Sequence, residues 1–463
     1  MELFSDKAGD EGLPGRPRAL AMAAVMTSTT MAVFDGSMVN IALPQIAAAL
    51  KVSAPAAVWV ANGYLLAAAM TLAIFAALAS RFGFRLLFAC GLSLFTAASL
   101  GCALSSSLTA LTGWRIVQGI GGAATLSIAP AILRSVFPDR LLGRILGLHA
   151  LLIAASTALA PLLGGTLLAA LGWRWLFAVN LPLGAIALML TLRVIPGKKA
   201  PQREPFDVAG AWLSAIMLGA LIMTASTFSR PDKDDGMLFT ALAYGALAVT
   251  AGVLFVWRQQ RAPKPLLPLA MFASRRFSLA ALTSLASFVS QGMTFVALPF
   301  LFQSVYGYSA FESALLFTPW PLGIILVAPH AGRMADRHSP ALISTLGLCV
   351  FAVGLALLAL LPDRAAMWDI GVRSLVCGLG FGCFQSPNNR EMLSNVSREN
   401  SGYASGVLAI MRTFGQCLGA ALVGVILSLS NNALAVHLSL WVASLATVLA
   451  LLFSVSRLRI WRV

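Results

Sequence analysis

The chain has 463 residues, 59% of them hydrophobic and only 11% charged, with a mean hydropathy of +0.85. A soluble domain carries roughly a quarter charged residues, so a large water-soluble core is excluded and an all-α integral membrane protein is expected. The net charge of +15 would suit a nucleic-acid partner, but the placement of the basic residues argues against one.

The first 18 residues mix Asp, Glu, Lys, Arg, Gly and Pro without an apolar core. They read as a cytoplasmic tail rather than a cleaved signal peptide. Fourteen apolar segments follow, each long enough to cross about 30 Å of hydrocarbon. Their limits are 19–48, 55–79, 86–106, 109–133, 145–170, 173–195, 208–228, 237–257, 277–304, 311–332, 341–361, 367–388, 402–430 and 433–456. Segment 311–332 holds Pro319, Pro321 and Pro329 and is expected to kink. The six cysteines all fall inside apolar segments, as small core residues rather than a disulfide framework or metal cluster.

Basic residues test the count, because cytoplasmic loops of membrane proteins are enriched in Lys and Arg. With a cytoplasmic amino terminus, 24 of the 32 basic residues fall on the cytoplasmic side and 6 on the other. Arg115 and Arg412 remain within or at the edge of spans. The alternation holds across all fourteen segments, so the excess charge reads as a topology signal facing lipid headgroups. Both termini are placed in the cytoplasm.

Asp35 lies deep in the first segment, and such a charge at the middle of a span costs about 2.5–3.5 kcal/mol on insertion scales. On a helix, Thr27, Met31, Asp35, Met38 and Ala42 share one stripe, which aims the acid at a cavity walled by adaptable methionines. Arg115 is its natural partner, with Gln118, Gly119 and Gly122 on the same helical face. Two readings stay open for each: a proton-coupling or substrate-contacting acid against a protonated structural one, and a functional arginine against one that snorkels to anchor the fourth span. Phe288, Gln291, Phe295 and Phe302 form an aromatic stripe with one amide, read as helix packing or ligand contact. Gln385, Asn388 and Asn389 line a polar vestibule or cap a helix end. His149 and His330 read as structural.

An internal repeat is visible. Gly119, Gly121, Gly143, Gly147 and Gly165 recur at a constant offset of 259 as Gly378, Gly380, Gly402, Gly406 and Gly424. Ala42-Leu43-Pro44 recurs as Ala297-Leu298-Pro299, and Ser80-Arg81-Phe82-Gly83 recurs more crudely as Asp336-Arg337-His338-Ser339. The expected organisation is a six-helix bundle over 1–198, two inserted spans over 199–265 and a related six-helix bundle over 266–463. Duplicated bundles around a central site are how secondary transporters alternate access.

With these features in view, the chain resembles a fourteen-span member of the major facilitator superfamily in the drug:proton antiporter group. The resemblance covers nearly the whole chain. Asp35 with Val39-Asn40-Ile41-Ala42-Leu43-Pro44 is similar to that group's first-span motif, and Arg115-Ile116-Val117-Gln118-Gly119-Ile120-Gly121 to its Arg-x-x-Gln-Gly-x-Gly motif. Pro161-Leu162-Leu163-Gly164-Gly165 is similar to the antiporter motif of the fifth span, with Ala160 in place of the first glycine. Trp173-Arg174-Trp175, Asn180-Leu181-Pro182 and Phe206-Asp207 fit the fourteen-span branch. The loop after the second span departs from the superfamily pattern, since Ser80 stands where an acid is usual before Arg81, Gly83 and Arg85. Its second copy keeps the acid at Asp336, followed by Arg337.

The resemblance implies a major-facilitator fold. It implies a gating or structural role for Arg81, Gly83, Arg85, Pro161, Gly164, Gly165, Asp336 and Arg337. The expected function is export of small lipophilic compounds from the cytoplasm in exchange for protons. Asp35 and Arg115 are the candidates for proton coupling, and Met31, Met38, Gln118, Gln291 and Phe295 for substrate contact. The expected partners are a small-molecule substrate, protons and the lipid bilayer, with no nucleic acid, no cofactor and no metal, in a monomer of a bacterial-type cytoplasmic membrane.

Export of one endogenous metabolite is the alternative. A sensor on the same fold is disfavoured because the longest polar stretches, near 196–206 and 258–276, are too short for a domain. No phosphate-binding loop and no His-Glu-x-x-His are present, so neither an enzyme nor an ATP-driven pump is expected. With one deep acid seen, neutral, zwitterionic, weakly acidic or at most monovalent cationic cargo is expected.

Overall fold

In hydrocarbon every backbone N–H and C=O must be satisfied within the protein, and helices do this segment by segment. The computed structural model describes residues 12–197, 207–228, 236–263, 265–335, 337–362, 364–396, 401–430 and 432–460, and among them no strand occurs. The first half comprises α1 (Gly15–Leu50), α2 (Ala54–Phe82), α3 (Phe84–Leu104), α4 (Leu108–Val136), α5 (Asp139–Leu171), α6 (Arg174–Ala178) and α7 (Asn180–Val194). Then come α8 (Val208–Thr227) and α9 (Met237–Arg261). The second half comprises α10 (Arg275–Phe300), α11 (Ala310–Phe317), α12 (Pro319–Met334), α13 (Pro340–Ala359), α14 (Met367–Ser394), α15 (Ser401–Leu429) and α16 (Asn432–Ile460).

Thirteen spans are long and apolar enough to cross a membrane among the described residues. The apolar stretch Ala155–Leu171 of α5 belongs to a fourteenth. Two spans are broken. The sixth is α6 plus α7, and the tenth is α11 plus α12, which part at Thr318 just before Pro319. The expected kink is therefore a break one residue before the first proline, where the pyrrolidine ring cannot continue the hydrogen-bond ladder. Gly83 separates α2 from α3 at φ 91°, a conformation that costs a side-chain-bearing residue but not glycine.

The repeated glycines do matching work in both halves. A Cβ on Gly119 would lie 2.4 Å from the Tyr64 carbonyl oxygen, and one on Gly378 would lie 1.9 Å from that of Trp320. Likewise Gly121 in α4 packs on Gly91 and Phe95 of α3, and Gly380 in α14 packs on Gly347 and Phe351 of α13. Each half thus presses its fourth span against its second and third at backbone distance. Gly378→Ala is expected to cost about 1–3 kcal/mol by overpacking, read as a lower unfolding midpoint in detergent. Gly406→Ala, where nothing lies within 4 Å, is expected to leave that midpoint unchanged or raise it.

Fourteen crossings return the chain to the side it started from, so the structure has a terminus end and a far end. At the far end the two halves share one core, in which Met38, Val39 and Ile41 join Phe295, Phe300, Ala310 and Ala314. Gln303, on a π-turn after α10, donates to the Ile41 carbonyl at 2.7 Å. Toward the terminus end the cores are separate. One gathers Ala21, Val25, Met31 and Phe88; the other gathers Met271, Phe277, Met392 and Ala404. Only along α2 and α15 do the described cores of the halves stay joined farther down, through Leu72, Phe75 and Ala409.

Helices α8 and α9 pair with each other, and α8 packs on α2 and α15. Asp207 caps α8 by accepting from the Gly210 N–H at 3.0 Å, and Arg258 and Gln259 of α9 donate to it at 2.9 and 2.8 Å. Burial pushes the Asp207 carboxyl up, but the bonds from Arg258, Gly210 and Gln259 outweigh it and hold it below its usual range. Its contribution is therefore present at neutral pH and is lost as pH falls through that depressed value.

Candidate functional site: a buried ion pair inside the first half

Asp35 sits in the middle of α1 and is 1% exposed; Arg115, one turn into the buried part of α4, is 0% exposed. One Nη of Arg115 donates to Asp35 Oδ2 and also to Gln118 Oε1, the latter at 2.6 Å. Its Nε donates to the Val60 carbonyl of α2 at 2.9 Å. The other carboxylate oxygen accepts from Gln118 Nε2 at 2.9 Å and from Asn180 Nδ2 of α7 at 3.1 Å. Ser99 of α3 closes the ring by accepting from Gln118 at 2.8 Å. The guanidinium lies 4.4 Å from the Tyr64 ring centre and 5.5 Å from that of Phe177.

Five spans thus converge on one carboxylate. Removing two charges from water is repaid only when geometry and extra hydrogen bonds are good, and here both carboxylate oxygens are occupied. The snorkelling reading of Arg115 is set aside by its complete burial. Arg115→Lys keeps a charge but loses the planar fork that serves Asp35, Gln118 and Val60 together. It is expected to lower transport by about tenfold or more, measured as initial uptake into everted vesicles at matched protein levels.

The positions of the second half that the repeat relates to Asp35 and Arg115 carry no charge. The 255-residue offset that relates Ala42 to Ala297 takes Asp35 to Ser290, which donates to the Ala443 carbonyl at 2.8 Å. The 259-residue offset takes Arg115 to Ser374, which is also buried. Titratable chemistry at the repeat's central position therefore belongs to the first half.

The other expected site residues are scattered through the packing. Gln118 belongs to the ion-pair network. Met31 lies in the core of the first half, and Met38 lies in the shared far-end core against Gly164. Phe295 stacks edge-on to Phe317 and Trp320 and borders a narrow crevice with Ser37, Asn40 and Pro161. Gln291 accepts from Gln416 Nε2 at 3.0 Å. A Cβ on Gly165 would sit 2.3 Å from that of Ala314, which places the α5 motif against α11 across the two halves. Arg85 donates to the Leu192 carbonyl, and Arg337 is exposed at the end of α12. Asp336 and the side chain of Arg81 lie outside the described residues.

Several participants were not among the expected site residues. Asn180, Ser99 and Tyr64 complete the Asp35 site, and the signal for Asn180 was a lone amide inside an apolar span. Glu391 is a second buried acid, 3% exposed, in the last turn of α14, which continues past Pro387 to Ser394. It pairs with Arg457 of α16 at 2.9 Å. Arg457 also holds Asn388 and Ser454, and Asn388 in turn donates to Ser284 and to the Ala280 carbonyl. Asn388 is therefore a structural strut rather than a vestibule residue, and Arg457, counted among the lipid-facing cations, is fully buried. His149 is hydrogen-bonded to Thr29 at 2.9 Å, in keeping with its structural reading.

Two repeated helical bundles, sealed together at one end and enclosing a buried ion pair, define a multi-pass secondary transporter. The chain belongs to the Major Facilitator Superfamily, whose family model matches residues 25–420. It is 40% identical over 447 residues to the uncharacterized transporter YebQ of Escherichia coli, covering 96% of each chain. It is 29% identical to the riboflavin transporter RibZ of Clostridioides difficile, over 84% of each. It is 32% identical to the tetracenomycin C resistance and export protein of Streptomyces glaucescens, over 90% of this chain and 77% of that one. Among solved structures, a POT family transporter in complex with 5-aminolevulinic acid superposes with a TM-score of 0.67 at 15% identity. That match covers 96% of this chain and 98% of the other, and it speaks to the fold alone.

Proposed function

We propose that this transporter exports small, largely apolar molecules from the cytoplasm in exchange for protons, with Asp35 as the proton carrier. The observation that carries the reading is the Asp35–Arg115 pair. It is buried, multiply hydrogen-bonded and confined to one half of a duplicated fold. In the proposed orientation the terminus end is cytoplasmic, the membrane is a bacterial inner membrane and the working unit is a monomer. The functional units are 1–198 and 266–463, joined through 199–265.

Protonating Asp35 from the far side removes the charge that Arg115 faces, while Val60 and Gln118 still hold the guanidinium. The weakened tie among α1, α4 and α7 is the element whose balance the proton shifts, and a ligand that prefers one arrangement shifts it back. Loss of the proton to the cytoplasm restores the pair. In the arrangement seen here the far end is closed by Gly165 against Ala314 and by Gln303 against Ile41, and the charged pair is intact. That corresponds to the deprotonated, cytoplasm-directed stage.

Export of a single endogenous metabolite is the second reading, supported by the riboflavin transporter among the relatives. Profiling the culture medium and drug susceptibility of cells with and without the protein separates the two. Many unrelated compounds in the medium support the first reading, and one compound with no change in susceptibility supports the second. No difference in either would contradict both.

A further inference from the structure

Arg412 is a basic side chain that neither the Asp35 pair nor the membrane surface uses. It lies eleven residues into α15, about 16 Å along the helix axis at about 1.5 Å per residue, too deep for its side chain to reach the headgroups. It is half-buried. Among the described residues no carboxylate, carbonyl or hydroxyl accepts a hydrogen bond from its guanidinium. The groups in electrostatic range are Tyr64 of α2 and His149 of α5, both from the opposite half.

Its place on the helix explains the exposure. Arg412 shares a stripe with Ala409 and Gln416. Ala409 packs toward α2, and Gln416 is bonded to Gln291 of α10. The guanidinium therefore projects into the seam between the two halves, toward the terminus end of their shared core. An uncompensated charge at that depth is costly and marks a functional position. The described carboxylates nearest the membrane centre do not relieve it, since Asp35 is bound to Arg115 and Glu391 to Arg457.

Building on the export reading, we propose that Arg412 is the anchor for the cargo, which carries one anionic group on an apolar body. The anion supplies the counter-charge that the described residues lack, while the apolar side chains beside Ala409, those of Leu72 and Phe75 of α2, receive the apolar part. Tyr64 stands between the two cations, since its ring lies under Arg115 and its hydroxyl, bonded to the Ala32 carbonyl at 3.2 Å, is within electrostatic range of Arg412. Cargo bound at Arg412 thus meets the proton site through one side chain. An anionic group falls within the weakly acidic class allowed by the sequence.

The test compares the small molecules in the medium of cells expressing wild type, Asp35→Asn, Arg412→Gln and Arg412→Lys, identified by mass spectrometry, with each variant checked for a monodisperse profile in detergent. The compounds enriched by wild type over Asp35→Asn are expected to be monoanions at neutral pH. Their enrichment is expected to fall about tenfold or more in Arg412→Gln, as for loss of a charged hydrogen bond, and to be largely retained in Arg412→Lys. Neutral or cationic compounds, or anions exported equally by Arg412→Gln, would overturn the proposal while leaving the export reading intact. If Arg412→Gln does not fold, the charge of the wild-type compounds and their export by Arg412→Lys decide. No enrichment by wild type would overturn the export reading and this one with it.

Discussion

Asp35→Asn is expected to reduce export against a gradient to the level of membranes lacking the protein, while downhill exchange persists. The substitution removes the titratable proton and also disturbs the network. Asp35 accepts three hydrogen bonds, from Arg115, Gln118 and Asn180. An amide offers one acceptor oxygen and turns an NH2 group toward the remaining donors. Breaking a buried pair by removing one charge costs about 3–5 kcal/mol, and the surviving amide oxygen places the expected loss at or below the lower end. Asp35→Glu restores the charge with one extra methylene and is expected to export partially with a shifted pH profile. The two variants together separate loss of a proton carrier from loss of a folded site. Uphill export by Asp35→Asn at the wild-type rate would show that the proton travels elsewhere.

Gly165→Val is expected to open the far end and stop the cycle. Its added Cβ meets the Ala314 Cβ at 2.3 Å and the Ala310 carbonyl oxygen at 2.8 Å, both in the opposite half. Overpacking of this kind costs about 1–3 kcal/mol, and here separation of α5 from α11 relieves it. A bias of about 2 kcal/mol shifts a two-state balance by roughly thirtyfold. In a background freed of the six native cysteines, a single Asn40→Cys in the crevice beside Phe295 reports the change. A membrane-impermeant thiol reagent added from the far side is expected to label it faster when Gly165→Val is present. Gly164→Ala is the control, because its Cβ crowds Met38 of α1, 2.9 Å from Cγ and 3.3 Å from Cα, within the same half, so that its strain does not press the two halves apart. Equal labelling in all three proteins would remove the α5 motif from the closure.

The fold was largely legible because a bilayer leaves few options. The fourteen segments, the glycine repeat and the charge alternation each depend on one-dimensional pattern, and Gly119 with Gly378 shows the repeat reappearing as backbone contact. The Asp35–Arg115 pairing was legible for a similar reason, since an isolated acid and an isolated base in hydrocarbon seek each other. What the pattern could not give was the company they keep. Asn180 and Ser99 lie 145 and 81 residues apart from Asp35 and Asn180 respectively, and only tertiary packing brings them to the carboxylate. Met31 and Met38 share the Asp35 stripe as read, yet both are packed away in this closed arrangement. Glu391 lies beyond the apolar segment 367–388 as read from sequence; helix α14 runs on to Ser394 and buries the acid against Arg457.

In the proposed cycle, cargo and proton move in opposite directions through Asp35. Purified protein in liposomes, loaded with a compound identified from the culture medium and with a pH-sensitive dye, allows both fluxes to be followed at once. Wild type is expected to carry protons against the cargo in a fixed ratio, and Asp35→Asn to let cargo equilibrate without moving protons. Cargo movement by wild type with no accompanying proton flux, or an equal proton flux in Asp35→Asn, would contradict the account.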